Sequence, residues 1–185
     1  MAISKIIIRL TLSTLIFLMG TLLFIGCDNK PQTSGTAHWD IVDVLPVGIA
    51  QPLKINYDNK INLVGITIIK LSSEELMVFY FWQPLQELGA FDKVFVHFTD
   101  ANNNILFQND HSLDPSWSSK KSHGKYIREM QRVKIDKGPE VKDCYVKVGI
   151  FAPDLSGWPR LKITTSGGMA IDESSMSAIV DHFIF

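Results

Sequence analysis

The chain has 185 residues, 46% of them hydrophobic and 20% charged, and its 18 basic and 19 acidic residues leave a formal net charge of -1. Such a balance creates no overall field that would draw the chain to nucleic acid or to a strongly acidic surface, so neither partner is read from charge. The length suits one domain with a core large enough to fold without disulfide staples.

The N-terminal segment carries the sharpest signal. Lys5 and Arg9 supply a positive start, Thr11 to Gly26 is apolar and uncharged, and the first acidic residue is Asp28, the three-part pattern of a secretory signal peptide. The uncharged stretch, at about 16 residues, falls short of the roughly 20 that a spanning helix needs. A small residue, Gly26, stands immediately before Cys27. The tetrad Phe24-Ile25-Gly26-Cys27 resembles the lipobox of bacterial lipoproteins. That resemblance implies cleavage before Cys27, diacylation of its sulfur and usually acylation of the new N-terminus, so that the chain is held at a membrane of the cell envelope and faces the periplasm or exterior. Two or three acyl chains anchor stably, since each buried methylene contributes about 0.8 kcal/mol. Asp28, directly after the anchor cysteine, resembles the signal that retains enteric lipoproteins in the inner membrane. The rival reading is an uncleaved signal anchor with Cys27 an incidental buried thiol; both readings put the remaining chain outside the cytoplasm.

Residues 1–26 are therefore expected to be a signal peptide, 27–38 a lipidated flexible tether of Asn, Lys, Pro, Gln, Ser, Gly and Thr, and 39–185 the folded domain. The chain has two cysteines, so lipid on Cys27 leaves Cys144 alone and no intramolecular disulfide. A lone thiol in an oxidising compartment is safest when buried. Cys144 opens the alternation Cys144, Val146, Val148, Ile150 and reads as core.

From Trp39 onward, short runs of Val, Ile, Phe and Tyr alternate with clusters of Asn, Asp, Gly, Pro and Ser, which is the strand signature. Ile61 to Lys70 puts Leu63, Gly65 and Thr67 on one side and Val64, Ile66 and Ile68 on the other, with Gly65 marking a bulge or close packing. Leu76 to Trp82 is apolar on both faces and reads as a central strand with Trp82 in the core. Lys93 to Thr99 and Ile105 to Asn109 flank the polar turn at 100–104, the clearest hairpin in the chain. Tyr126 to Ile135 carries polar residues in both alternating sets and reads as an edge or surface strand. Cys144 to Phe151, Arg160 to Thr164 and Ala178 to Phe185 bring the expectation to about nine strands of an all-β antiparallel sandwich. Phe183 and Phe185 share one face of the last strand and would need cover.

The order of motifs adds a family expectation. Ile61-Asn62-Leu63-Val64-Gly65, Val78 to Trp82, Val94-Phe95-Val96-His97-Phe98-Thr99-Asp100, Gln108 to His111, Trp117, Gly124-Lys125-Tyr126, Tyr145 to Phe151 and Arg160-Leu161 follow one another as in a β-sandwich module. The series resembles the extracytoplasmic C-terminal module of some bacterial membrane glycosyltransferases and of stand-alone envelope proteins. The resemblance implies a jelly-roll or immunoglobulin-like sandwich that is not itself catalytic. The membrane region of those glycosyltransferases is missing from this sequence.

Enzyme motifs are missing too: no Gly-x-Ser-x-Gly, His-Glu-x-x-His or phosphate-cradling loop occurs, and no cofactor is expected beyond covalent lipid. His97, Asp100, Asp110 and His111 are the candidates for a metal such as zinc. For calcium the oxygen donors would be Asp100, Asn102, Asn104, Asp110 and Asp114. Because His97 lies opposite the Val94, Val96, Phe98 face, a solvent-facing or hydrogen-bonded histidine is the simpler account. Trp117 and Trp158 stand in Pro- and Ser-containing loops, where exposed rings beside polar groups hold sugar faces. A glycan site would draw on Trp117, Trp158, Asp110 and His111, although loop tryptophans also plug the open ends of sandwiches. The basic stretch Lys120, Lys121, Lys125, Arg128, Arg132 and Lys134 reads as a solvated face. Two functions follow as expectations: a lipid-anchored module binding a glycan or glycolipid near the membrane, or an accessory protein docking onto a membrane-embedded envelope enzyme.

Overall fold

Period-two alternation of apolar residues becomes strand through most of the domain. The computed structural model describes residues 38–47, 49, 51–88, 92–119, 122, 124–135, 143–152 and 157–184, all within the compact unit Ser34–Phe185. The signal segment, Cys27, Asp28 and the tether up to residue 37 lie outside the described residues.

Twelve strands are present among the described residues: β1 (His38–Val42), β2 (Gln51–Tyr57), β3 (Ile61–Lys70), β4 (Glu75–Pro84), β5 (Lys93–Thr99), β6 (Ile105–Gln108), β7 (His111–Ser112), β8 (Tyr126–Lys134), β9 (Asp143–Phe151), β10 (Ile163–Thr165), β11 (Ile171–Asp172) and β12 (Ser177–Ile184). They form two sheets, one in the order β1-β8-β4-β3-β2-β10 and the other β11-β12-β9-β5-β6 with β7 also on β5. Every pairing is antiparallel. The chain crosses from the first sheet to the second between β4 and β5, between β8 and β9 and between β10 and β11, while β4 pairs β8 and β5 pairs β9. The expected all-β antiparallel sandwich is the observed fold.

Each sheet turns one face inward. Ile55, Tyr57, Leu63, Ile66, Val78 and Trp82 from the first sheet meet Val94, Val96, Phe98, Val146, Val148, Ile150 and Val180 from the second, all fully buried. Each such aliphatic side chain contributes about 1.5–3 kcal/mol by leaving water. The Tyr57 hydroxyl donates to the Val148 carbonyl at 2.8 Å, a polar tie between the sheets. Cys144 is fully buried, and burial, helped by Asp181, pushes its thiol up to about 12, so it packs as a small hydrophobe.

Three strand expectations are corrected by the register. Strand β8 is no edge: it lies between β1 and β4, and turns Glu129 and Gln131 inward beside Ile127 and Val133. On β3 a bulge between Leu63 and Gly65 breaks the alternation, so Leu63 and Ile66 both reach the core. A Cβ on Gly65 would lie 2.8 Å from Ile49 Cγ2, which is why the bulge holds a glycine. The run Arg160 to Thr164 is strand only from Ile163, and Arg160 instead forms a single bridge with Phe151. The last strand pairs with β9 and β11, Phe183 packs against the core, and Phe185 lies outside the described residues.

Candidate binding face

The sequence candidates divide between the inside and the outside of the sandwich. Trp117 sits in a short 3-10 turn, Pro115–Ser118, whose first N–H groups are capped by the Asp114 carboxylate accepting from Ser116 N at 2.9 Å. Its ring is 1% exposed and meets Trp39 edge-on at 6.1 Å, closing one end of the core. Ser122 Oγ donates to the Trp117 carbonyl and fixes the turn. Trp117 is therefore a plug and not a sugar platform, because the chain around it folds back over the end of the sheets.

His111 likewise turns inward. Its Nδ1 lies 2.9 Å from the Asn109 carbonyl, and its Nε2 lies 3.2 and 3.3 Å from the two carboxylate oxygens of Glu129. Both partners are acceptors, and a neutral imidazole has only one N–H, so satisfying both takes the imidazolium. Burial opposes that charge, but the Glu129 carboxylate and the Asn109 carbonyl outweigh it and hold the His111 pKa above its usual value. Glu129 is 1% exposed and accepts also from Trp82 Nε1 at 2.9 Å and Gln131 Nε2 at 2.7 Å. Burial would raise its pKa; the His111 charge and these donors hold it below the ordinary carboxylate range. The cluster is a saturated buried ion pair that joins β7 of one sheet to β8 of the other.

The opposite face of the second sheet is built differently. Residues directly opposite in an antiparallel ladder share a face, so the pairs Lys93 with Phe151, Phe95 with Gly149 and His97 with Lys147 all point outward. The return segment from Gly157 covers them. Trp158 stacks on Phe151 with ring centroids 5.7 Å apart and planes 6° from parallel. The Arg160 guanidinium lies 4.4 Å from the Phe95 ring centroid and donates to the Ser175 carbonyl. Lys147 Nζ donates to Asp172 at 2.5 Å and to Asn103 at 2.8 Å, and the Lys147 bond, with that from Ser174, holds the Asp172 carboxyl far below its usual value. Gly149 is needed because the Phe95 ring crosses it: a Cβ there would sit 2.1 Å from Phe95 Cζ.

Trp158 is 62% exposed and follows Gly157 with φ of 50°, a left-handed conformation unusual for a bulky residue. Asp110 reaches this side of the sheet, accepting from Val96 N at 3.2 Å, with His97 Nε2 at 3.9 Å. Burial lowers the His97 pKa; Asp110 pulls it back only in part, and Arg160 and Lys147 lower it further. His97 is thus neutral near pH 7, and its contact with Asp110 is not an ion pair.

The metal candidates do not converge. Asp100 is occupied by its own turn, accepting from the backbone N–H groups of Asn102 and Asn104 at 2.8 and 2.9 Å and from Asn104 Nδ2 at 2.8 Å, and those bonds, that from the Asn104 side chain foremost, lower its pKa. Asn103 takes the positive φ, 67°, that the turn requires. Among the described residues no group of three or more His, Cys, Asp or Glu could hold a metal ion. In the basic stretch, Lys125, Arg128 and Arg132 pair with Asp43, Asp40 and Glu75, while Lys120 and Lys121 lie outside the described residues.

Of the four glycan candidates, Trp158 and Asp110 reach the outer face, and Trp117 and His111 do not. Phe151, Phe95, Arg160 and Lys93 were missed. The signal was present: alternation that sends Val94, Val96 and Phe98 inward sends Lys93, Phe95 and His97 outward, and an aromatic at an outward position needs a neighbour to cover it. No family model, curated protein or solved structure matches this chain.

Proposed function

We propose that this chain is a non-catalytic lipoprotein of the bacterial cell envelope, anchored through Cys27, which binds a glycan or glycolipid near the membrane on the outer face of its second sheet. The observation that carries the reading is Trp158: an indole 62% exposed, stacked on Phe151 and placed by a positive φ. Such a ring presents an apolar surface to the C–H face of a pyranose, while neighbouring polar groups bind its hydroxyls. Asp110 and Arg160 stand on the same side for that role. The Cys144 thiol is buried with its pKa near 12, and His111 has both nitrogens engaged, so neither faces the proposed platform. The resemblance of the motif order to the extracytoplasmic sandwich module of membrane glycosyltransferases favours the same compartment.

The test is a glycan-array screen of the full chain in detergent, with Trp158→Ala beside it. Binding that falls by at least about tenfold in the variant is expected for a central aromatic anchor; no binding to any glycan, or binding unchanged in the variant, contradicts the reading. Incorporation of labelled palmitate that disappears in Cys27→Ser checks the anchor.

A second reading, docking onto an envelope protein, draws on the other sheet. There Val44 and Val47 are 76% and 105% exposed, and Val47 borders a groove of about 160 Å³ lined also by Pro46, Ile49, Thr67, Ile69, Phe79, Phe81 and Arg128. Charged replacements at Val44 and Val47 would release such a partner and leave glycan binding intact.

A further inference from the structure

The charges around Trp158 narrow the class of sugar, an inference that rests on the glycan reading above. Lys93 stands opposite Phe151 in the ladder, and Arg160 bridges Phe151 from the other side. Directly opposed residues share a face, so the aromatic platform is flanked by two cations in one row across the sheet. Among the described residues Lys93 and Arg160 make no ion pair with an acidic side chain, and neither do Lys54, Lys60, Lys134 and Lys162, so what sets these two apart is their place beside the aromatic platform. The net charge of the whole chain is -1, so the row is a local feature and not the overflow of a basic protein.

Arg160 is also held for the task. Its guanidinium rests on the Phe95 ring at 4.4 Å, and one of its N–H groups goes to the Ser175 carbonyl. Phe95 is itself wedged over Gly149. A guanidinium carries five N–H donors in a planar fork, so most of them remain for a ligand, beside an indole two residues away. Asp110, the nearby carboxylate, accepts from the Val96 N–H at 3.2 Å and makes no ion pair with Arg160 or Lys93 among the described residues.

We infer that the sugar bound on this face carries an oxyanion, which Arg160 and Lys93 hold while its ring lies on Trp158. The shared chemistry is a negatively charged sugar, whether a uronate carboxylate or a sugar phosphate, and a charge-assisted arginine contact suits both.

The experiment titrates the full chain in detergent with two sets of probes. One contains oligogalacturonate, oligomannuronate and a hyaluronan oligosaccharide, each beside its carboxyl-reduced counterpart, which keeps ring and linkage but replaces the carboxylate by an alcohol. The other contains phosphorylated mannan beside its dephosphorylated form. The expected result is binding of a charged member at least about tenfold tighter than its neutral counterpart, since a hydrogen bond to a charged group contributes enough for a factor of that size. Arg160→Gln then lowers affinity for the charged member about tenfold and leaves the neutral one unchanged, Lys93→Gln does so to a smaller degree, and both variants keep the wild-type melting temperature. The set that responds identifies carboxylate or phosphate. Equal binding of charged and neutral members, lost in Trp158→Ala, overturns the oxyanion and keeps the glycan reading. No binding to any member overturns both.

Discussion

Trp117 with His111 and Trp158 with His97 are the same two residue types put to opposite use. In the first case the ring plugs the end of the core and the imidazole closes a buried ion pair with Glu129. In the second the ring is left largely in water and the imidazole is neutral and partly covered. Residue type does not decide between these fates: for the histidines ladder register does, because one step along a strand moves a side chain from the core to the solvent face, and for the tryptophans the local shape of their loops does. His97 and His111 both lie on strands hydrogen-bonded at β5, yet they point to opposite sides of the same sheet. The inner set makes a sandwich with a fixed interior, and the outer set is free to meet another molecule.

The comparison breaks most visibly at Glu129. Glu129→Ala leaves the buried His111 cation uncompensated, and urea unfolding should show a loss of about 3–5 kcal/mol, whereas Trp158→Ala should stay within about 0.5 kcal/mol of wild type, as an exposed position does. Gly149→Ala lies between: its Cβ must displace the Phe95 ring, at a cost of about 1–3 kcal/mol for an overpacked site, and because Arg160 rests on that ring the same variant should weaken ligand binding.

The pH dependence sharpens the contrast further. His111 has a folded pKa raised above 6.5, so its contribution is complete below that value and is lost as pH rises through the folded pKa. Glu129 has a folded pKa lowered from 4.5, so its contribution is complete above that value and is lost as pH falls through the folded pKa. Melting temperature should therefore be highest between about pH 4.5 and 6.5, and His111→Gln should flatten the alkaline limb. No comparable limb should arise from His97 losing a proton above pH 7, since it is already neutral there. The outer face of the first sheet gives a small effect as well. Arg128 pairs bidentately with Asp40 at 2.9 Å, but both are only half-buried and solvent screens the pair, so Arg128→Ala should cost less than about 1 kcal/mol by thermal unfolding.

Much of the fold was legible because the alternation of β4, β5 and β9 is dictated by apolar burial and needs no partner to be recognised. Gly65 and the turn at Asp100 were legible for the same local reason, a backbone shape that few residues adopt. What sequence could not show is pairing. Strand β8 looked like an edge because Glu129 and Gln131 are polar, and only the arrival of Trp82 on β4 and His111 on β7 makes their burial tolerable. The site was half legible for a related reason. Trp117 and Trp158 occupy similar loops in the sequence, and the 3-10 turn that buries one and the positive φ that presents the other are tertiary outcomes.

The central claim is that the outer face of the second sheet is a saccharide platform centred on Trp158. Its most direct test is a pair of binding isotherms, wild type and Trp158→Ala, measured on the full chain in detergent with the best glycan from the array and accompanied by unfolding curves. The account predicts an affinity lower by at least about tenfold in the variant, with unfolding curves that superimpose. Equal affinity in the two proteins would contradict it.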